Sequence, residues 1–280
     1  MPASEIILNP DNSVYHLHLR QGEVPQKLIT VGDQGRIDWF LPHFEKVDFD
    51  RQYREFRSLK GRVNGEEIMV ISTGIGTDNI DVVLNELHLA YQWDLEKRQI
   101  LDVPRPPLKV LRLGTSGTLR EDIPIDSILL SEGALGFDYL MYFYQWNDFR
   151  TLKGIDDLPK PYFALADQGM VQAFKSMASH SGITVTANGF YGPQGRNLPL
   201  PARNENWLDL LAAQSVNNHP ITNLEMETAG IYALGKLLGM ECLSLSAILA
   251  NRKAHQFSSQ PDQTVKEMIA QALKIFSALR

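Results

Sequence analysis

The chain reads as an α/β protein, a mostly parallel sheet covered by helices. Short apolar runs alternate with longer stretches whose apolar residues recur at helical spacing, as in successive strand and helix units. The glycines, arginines and hydroxyl residues that stand out fall just after those runs, where the carboxyl ends of such strands collect ligands. The 280 residues are enough for one such domain with a large core, and 44% hydrophobic with 21% charged residues is ordinary for a soluble protein. A single domain over residues 1–280 is expected, with residues 1–13 loosely ordered.

The first expected strand, 27–31, is followed by Gly32-Asp33-Gln34-Gly35-Arg36. Glycines there permit close backbone approach and the arginine can meet an anion; a plain strand-to-helix turn with a surface ion pair fits equally well. The second, 67–72, leads through Thr73-Gly74-Ile75-Gly76-Thr77-Asp78-Asn79 into a helix expected over 80–98, with Ile80, Val83, Leu84, Leu87 and Tyr91 on one face. A glycine-rich loop at a helix start can turn backbone N–H groups toward an anion. It is neither a Walker A loop nor a complete GxGxxG fingerprint. Residues 94–107 are charged and then proline-rich, which marks an exposed connection.

The third strand, 108–113, carries Arg112 inside an apolar run and ends in Gly114-Thr115-Ser116-Gly117-Thr118. Burying arginine requires an anionic partner, so either a ligand held by Arg112, Arg36 and Thr115 or an internal salt bridge to a glutamate is implied. After a strand at 127–131, residues 137–149 are dense in aromatics, which fits a packed strand or a subunit interface better than a base-stacking site. Helices are expected at 169–179, 205–216, 228–238 and 264–279, and strands at 183–187 and 242–250. The loop 188–196 offers aromatic rings at Phe190 and Tyr191, then an amide at Gln194 and a guanidinium at Arg196, groups suited to a planar ligand with polar edges.

Glu225 and Glu227 stand two residues apart before the 228–238 helix, which its glycine at 239 ends. That spacing does not share a helical face, so the pair belongs to an extended or loop segment at the positive end of the helix. Acid/base pair, hydroxyl clamp, metal site and simple helix-start charge all remain open. A net charge of −6 argues against a nucleic-acid binder that relies on excess positive charge. One cysteine, Cys242, excludes an internal disulfide and fits a reducing, cytoplasmic setting. No stretch is long and apolar enough to span a membrane, and residues 1–20 do not have the pattern of a signal peptide.

Several of these segments together resemble the trimeric/hexameric nucleoside phosphorylase family. They are Gly32-Asp33-x-x-Arg36, Tyr53-Arg54-Glu55-Phe56, Ser72-Thr73-Gly74-Ile75-Gly76 with Glu86-Leu87, Arg112-x-Gly114-Thr115-x-Gly117, and Glu225-Met226-Glu227. They occur in family order over residues 14–252. Within the family the chain is most similar to the uridine phosphorylases, through Phe190-Tyr191-x-x-Gln194-x-Arg196 and Val14-Tyr15-His16-Leu17.

The resemblance implies a three-layer α/β/α domain around a central mixed, partly barrel-like sheet. It implies reversible phosphorolysis of uridine, with inorganic phosphate as co-substrate and no required cofactor. Gly32, Arg36, Arg112 and Thr115 would hold phosphate, with Arg54 reaching in from a neighbouring copy. Met226, Glu227 and Thr115 would contact ribose, and His16 of the neighbour its 5′-hydroxyl. Phe190 would stack on the nucleoside, Gln194 and Arg196 would bond the uracil edge, and Arg252 would support that edge. Glu55, with Ile75, matches a potassium site between subunits in some members. The implied partners are nucleoside, phosphate and further copies of the chain, with active sites shared across a dimer and a hexamer left open.

Departures from the family pattern are informative. Asp78-Asn79 replaces a common Pro-Ser pair, residues 94–107 look inserted, and 244–252 contain no aspartate of the kind that protonates a purine. A purine nucleoside phosphorylase or nucleosidase on the same scaffold, and a silent nucleoside-binding protein, are the alternatives. Phosphorolysis needs no protein nucleophile: Arg112 positions phosphate, while Arg196 and Gln194 receive the charge of the departing base.

Overall fold

The computed structural model describes residues 1–280. Strands and helices follow in the order β1 (Lys27–Val31), β2 (Lys46–Tyr53), β3 (Phe56–Val63), β4 (Glu66–Ser72), α1 (Thr77–Gln92), β5 (Trp93–Asp94), β6 (Gln99–Ile100), β7 (Lys109–Thr118) and β8 (Ile128–Gly136). Then come β9 (Tyr162–Leu165), α2 (Gln168–Phe174), β10 (His180–Thr186), α3 (Trp207–Ala212), β11 (Ser215–Val216), β12 (His219–Glu225), α4 (Thr228–Leu237), β13 (Glu241–Asn251), β14 (Gln256–Phe257) and α5 (Pro261–Ala278).

The sheet is mixed and partly barrel-like, as the family resemblance implies, rather than mostly parallel as the alternation of strand and helix patterns suggests. Its 12 strands include parallel pairs β4–β1–β7–β13 and β8–β10–β12, but β13 meets β8 antiparallel and β2, β3 and β4 form an antiparallel meander. A further antiparallel pairing sets Asn223 and Leu224 of β12 against Thr118 and Gly117 of β7. That contact closes β7, β13, β8, β10 and β12 into a ring, so part of the sheet is a barrel and the rest an open flange. Helices α1, α4 and α5 bury Leu84, Leu87, Ile231, Leu234, Met268 and Ile269 against the sheet in the main core.

Among the strands that escaped the periodicity reading, three did so for identifiable reasons. β2 is nearly all exposed and carries Lys46, Asp48, Asp50 and Arg51, so it has no apolar face to see. β3 interrupts its buried residues with half-buried Arg57 and Lys60 and exposed Arg62. β12 is announced instead by its turn: Asn217 and Asn218 both have positive φ (51° and 65°), the backbone of a tight hairpin joining β11 to β12.

Helix boundaries needed correction. α1 stops at Gln92 rather than 98, because Asp94 Oδ1 accepts the Lys97 amide (2.9 Å) and Trp93 pairs with Ile100 in a small hairpin. The 94–107 stretch therefore begins as structured hairpin. The 205–216 helix shrinks to α3, since Ser215 and Val216 are drawn into the sheet. Residues 137–149 form no core strand: Leu140–Phe143 is a 3₁₀ turn, with Met141 buried and Phe143 86% exposed. Residues 1–13 are turn-rich, with Ile6 buried and Leu8 bridged to Val14.

Candidate active site

The carboxyl ends of β1, β4, β7, β10 and β13 and the end of β12 surround a cavity of about 760 Å³, within the usual range for a small-molecule site. Most residues singled out from the sequence line it: Gly32, Arg36, Glu55, Ile75, Arg112, Thr115, Phe190, Gln194, Arg196, Met226 and Glu227. Parallel strands bring them together because segments distant in sequence end at the same edge.

At one end lies a buried charge cluster. Arg112 Nη2 contacts Glu227 Oε2 at 2.6 Å and Glu225 Oε2 at 2.9 Å, and its Nη1 donates to Ser244 Oγ at 3.4 Å. The internal salt bridge weighed for Arg112 is thus present, to both glutamates. Gly114 makes room for it, since a Cβ there would stand 1.9 Å from Arg112 Nη1. Burial opposes the charge on Arg112, but the two carboxylates more than offset that and hold its pKa above the ordinary value.

The two glutamates differ in what remains open to them. Glu225 accepts from Thr186 Oγ1 (2.5 Å) and from the backbone N–H groups of Glu227 and Thr228 (2.9 Å each) as well as Arg112. It is saturated and shapes the floor. Glu227 Oε1 accepts only the Gly76 N–H (2.8 Å), which gives the glycine loop a defined task; Gly76 has φ +97°, a conformation that favours glycine. Glu227 therefore keeps lone pairs facing the cavity, and burial, opposed by Arg112 and reinforced by Glu225, raises its carboxyl above the usual value. Metal binding by the pair finds no support: no group of three or more His, Cys, Asp and Glu residues is arranged to hold a metal ion.

Arg36 is a cation without a carboxylate partner. It makes no ion pair, donates from Nη2 to Thr115 Oγ1 (3.3 Å), and its pKa is lowered by burial and by Arg112. A half-buried guanidinium beside a hydroxyl and the Gly32 backbone is suited to an anion.

The other end holds the base-loop residues. Arg196 lies over the Phe190 ring, 3.7 Å from its centroid, and donates to Phe190 O and to Gln194 Oε1 (3.0 Å). Arg252, outside the lining proper, donates to Gln194 O at 3.1 Å and so braces the loop from behind. Trp207 of α3 does the same through Pro193 O (3.1 Å). Burial and the neighbouring Arg252 bring Arg196 down to about 10, still protonated at neutral pH and without a carboxylate partner. Leu249, Ala250 and Phe257 also line the cavity; its acids (Asp33, Glu55, Glu225, Glu227) come from the segments after β1 and β2 and from the end of β12, and neither the 188–196 loop nor the end of β13 supplies one.

Besides Arg252, two expected residues do not join their own chain's cavity. Arg54 is exposed at the β2–β3 turn with φ +53°, next to Glu55, which does line it. His16 is clamped by Glu86: Nδ1 lies 2.6 Å from Oε1, and the amides of His16 and Leu17 donate to the same carboxylate at 2.8–3.0 Å. For potassium, one chain offers the Glu55 carboxylate and the Ile75 carbonyl, which already accepts from Asn79 Nδ2 (3.5 Å). The shell of several oxygens that a hard cation needs is not complete within one chain. The sequence reading named Glu86 only within a family motif and missed Thr186, Thr228, Ser244 and Phe257. Thr186 and Ser244 act through buried partners far away in the chain, which no local motif announces.

Residues 26–279 match the phosphorylase superfamily. The chain belongs to that family. Among its relatives is a uridine phosphorylase of Thermococcus kodakarensis, 24% identical over 94% of this chain and 86% of that protein. A DeoD-type purine nucleoside phosphorylase of Listeria monocytogenes is 23% identical over 92% and 97%. Among solved structures, a Trypanosoma brucei nucleoside phosphorylase described as showing uridine phosphorylase activity superposes with a TM-score of 0.85 at 25% identity, covering 98% of this chain and 99% of that one. A Toxoplasma gondii purine nucleoside phosphorylase shares the fold, with a TM-score of 0.70 at 22% identity over 98% of each chain. The phosphorylase superfamily chain is accordingly a pentosyltransferase of the nucleoside phosphorylase fold. No helix is long and apolar enough to cross a membrane.

Proposed function

We propose that the protein catalyses reversible phosphorolysis of uridine to uracil and ribose 1-phosphate. The observation that carries this reading is the segregation of charge in the cavity. The loop and strand end that would meet the base supply cations and an amide (Arg196, Gln194, braced by Arg252) and contribute no carboxylate to the lining. Uracil leaves with its negative charge spread over carbonyl oxygens, which fixed donors stabilise without transferring a proton. A departing purine calls for an acid at its N7, and none is in place.

The remaining roles follow from the same geometry. Arg36, Arg112, Thr115 and the Gly32 backbone hold phosphate beneath the sugar, where its charge stabilises an oxocarbenium-like transition state and its oxygen attacks the anomeric carbon. Because Glu225 also holds Arg112 and Glu227 Oε1 accepts only the Gly76 N–H, Glu227 has acceptor capacity for ribose hydroxyls, with Met226 against the sugar. Glu225 stays with Thr186 and the helix start. Arg54 and His16 serve a neighbouring copy's cavity, so the smallest active unit is a dimer. The protein works in the cytoplasm on small molecules, with phosphate as co-substrate and no cofactor.

Incubation with uridine, with and without phosphate, tests this. Uracil should appear only with phosphate. Release that ignores phosphate, or activity on inosine alone, refutes it; uridine bound without any product assigns the chain to silent binding.

A further inference from the structure

A line of buried polar side chains runs beneath the cavity and surfaces in it. Asn223, with no solvent exposure, sits on β12 opposite Thr118 of β7, at the seam that closes the barrel. Its Nδ2 donates to Ser116 Oγ at 2.9 Å. Its Oδ1 accepts from Thr184 Oγ1 at 2.8 Å and from Thr222 Oγ1 at 2.9 Å. Thr184 Oγ1 in turn lies 2.5 Å from Ser131 Oγ. Of these residues only Ser116 lines the cavity. Polar groups in a barrel interior cost desolvation that apolar residues would avoid, and a satisfied network repays this mainly by fixing orientation.

The orientation it fixes is that of one proton. A hydroxyl has one hydrogen to give and two lone pairs to receive with. Thr184 donates to Oδ1, which turns the amide NH₂ toward Ser116. Ser116 accepts that bond and keeps its own proton for the cavity. It lies between Thr115 at the phosphate corner and Gly117, whose Cα faces Arg252 beneath the base loop. Its hydroxyl thus keeps a free donor at a residue that lines the cavity.

We propose that Asn223 is a positioning residue that sets the Ser116 hydroxyl as a hydrogen-bond donor to a carbonyl of the departing base. This rests on the phosphorolysis reading above. As the glycosidic bond breaks, its electron pair passes to the base and charge grows on the carbonyl oxygens. A donor held by a buried network meets that charge without reorganising. Arg196 and Gln194 serve the outer edge of the base, and Ser116 serves the side nearest the sugar.

The test is a double-variant cycle read as kcat and as the KM of each substrate. Asn223→Asp keeps the shape but replaces the donor with an acceptor, which claims the Ser116 proton. Ser116→Ala and Asn223→Asp should each lower kcat on the order of 10²-fold, as loss of one such donor does, with the phosphate KM unchanged. The double variant should lose no more than either alone. Thr184→Val, close in volume, leaves the amide oxygen held by Thr222 alone and should lower kcat less; in the Ser116→Ala background it should do nothing. That second cycle decides if Asn223→Asp does not fold. Full kcat in Ser116→Ala, or losses that multiply in both cycles, overturns the proposal. The wild type is first assayed on uridine and inosine, and the cycles are run on whichever is cleaved. Cleavage of inosine alone thus overturns the substrate assignment separately, and cleavage of neither overturns both.

Discussion

Gly114→Ala concentrates the logic of the charge cluster in one methyl group. That carbon would stand 1.9 Å from Arg112 Nη1, 2.4 Å from Cζ and 2.7 Å from Nη2. Carbon–heavy-atom contacts are comfortable only near 3.5 Å, so the guanidinium must move by about 1 Å or more. Arg112 Nη2 then loses its 2.6 and 2.9 Å contacts, and two buried carboxylates are left without their cation. Breaking a buried pair this way costs about 3–5 kcal/mol, which at about 2–4 °C per kcal/mol lowers the melting midpoint by roughly 10 °C. A lost charge-assisted contact to phosphate, about 1.5–3 kcal/mol, raises the phosphate KM roughly 10- to 100-fold. Thermal unfolding and phosphate-dependent uracil release read the two effects separately. A variant with an unchanged midpoint and unchanged phosphate KM would refute the view that Arg112 is held by a single tight arrangement over Gly114.

Other consequences are open to direct measurement. Glu227→Gln should weaken nucleoside binding and turnover and leave phosphate affinity largely intact, because Glu225 still pairs Arg112; kinetics with each substrate varied in turn will show it. The raised carboxyl of Glu227 means the folded state favours its protonated form, so its ionisation costs stability as pH rises through that pKa and the cost is relieved as pH falls. Activity should run the opposite way, lost as pH falls through the same value, and the acid limb of the nucleoside kcat/KM profile should vanish in Glu227→Gln. Arg196→Lys keeps the charge but not the planar fork over Phe190, so kcat should drop roughly tenfold or more, measured with uridine at saturating phosphate. Mixing Arg54→Ala with Arg112→Ala subunits should restore part of the lost activity through hybrid sites; no recovery despite proven exchange would argue against sites shared between copies.

Much of the site was legible because its chemistry lies in short strand-end segments. Gly32 to Arg36, Arg112 to Gly117, Phe190 to Arg196 and Glu225 to Glu227 each put unusual residues where a buried strand stops, and all four meet in one cavity. The α/β class was legible for the same reason, since buried strands and amphipathic helices leave distinct apolar periods. Strand direction was not. Whether β13 runs with β7 and against β8, and whether β12 closes back on β7, depends on pairings across long separations that no local pattern encodes.

The same division runs through the glutamates. Residue type and spacing already placed Glu225 and Glu227 at the end of an extended segment and the start of a helix, and ruled out a shared helical face. Which of them stays open to a ligand was decided only by folding. Thr186, brought alongside by β10, and the backbone of α4 fill the acceptor sites of Glu225, while Gly76 leaves Glu227 partly free. A carboxylate's role depends on how many of its lone pairs are already taken, and those donors come from segments far away in the chain.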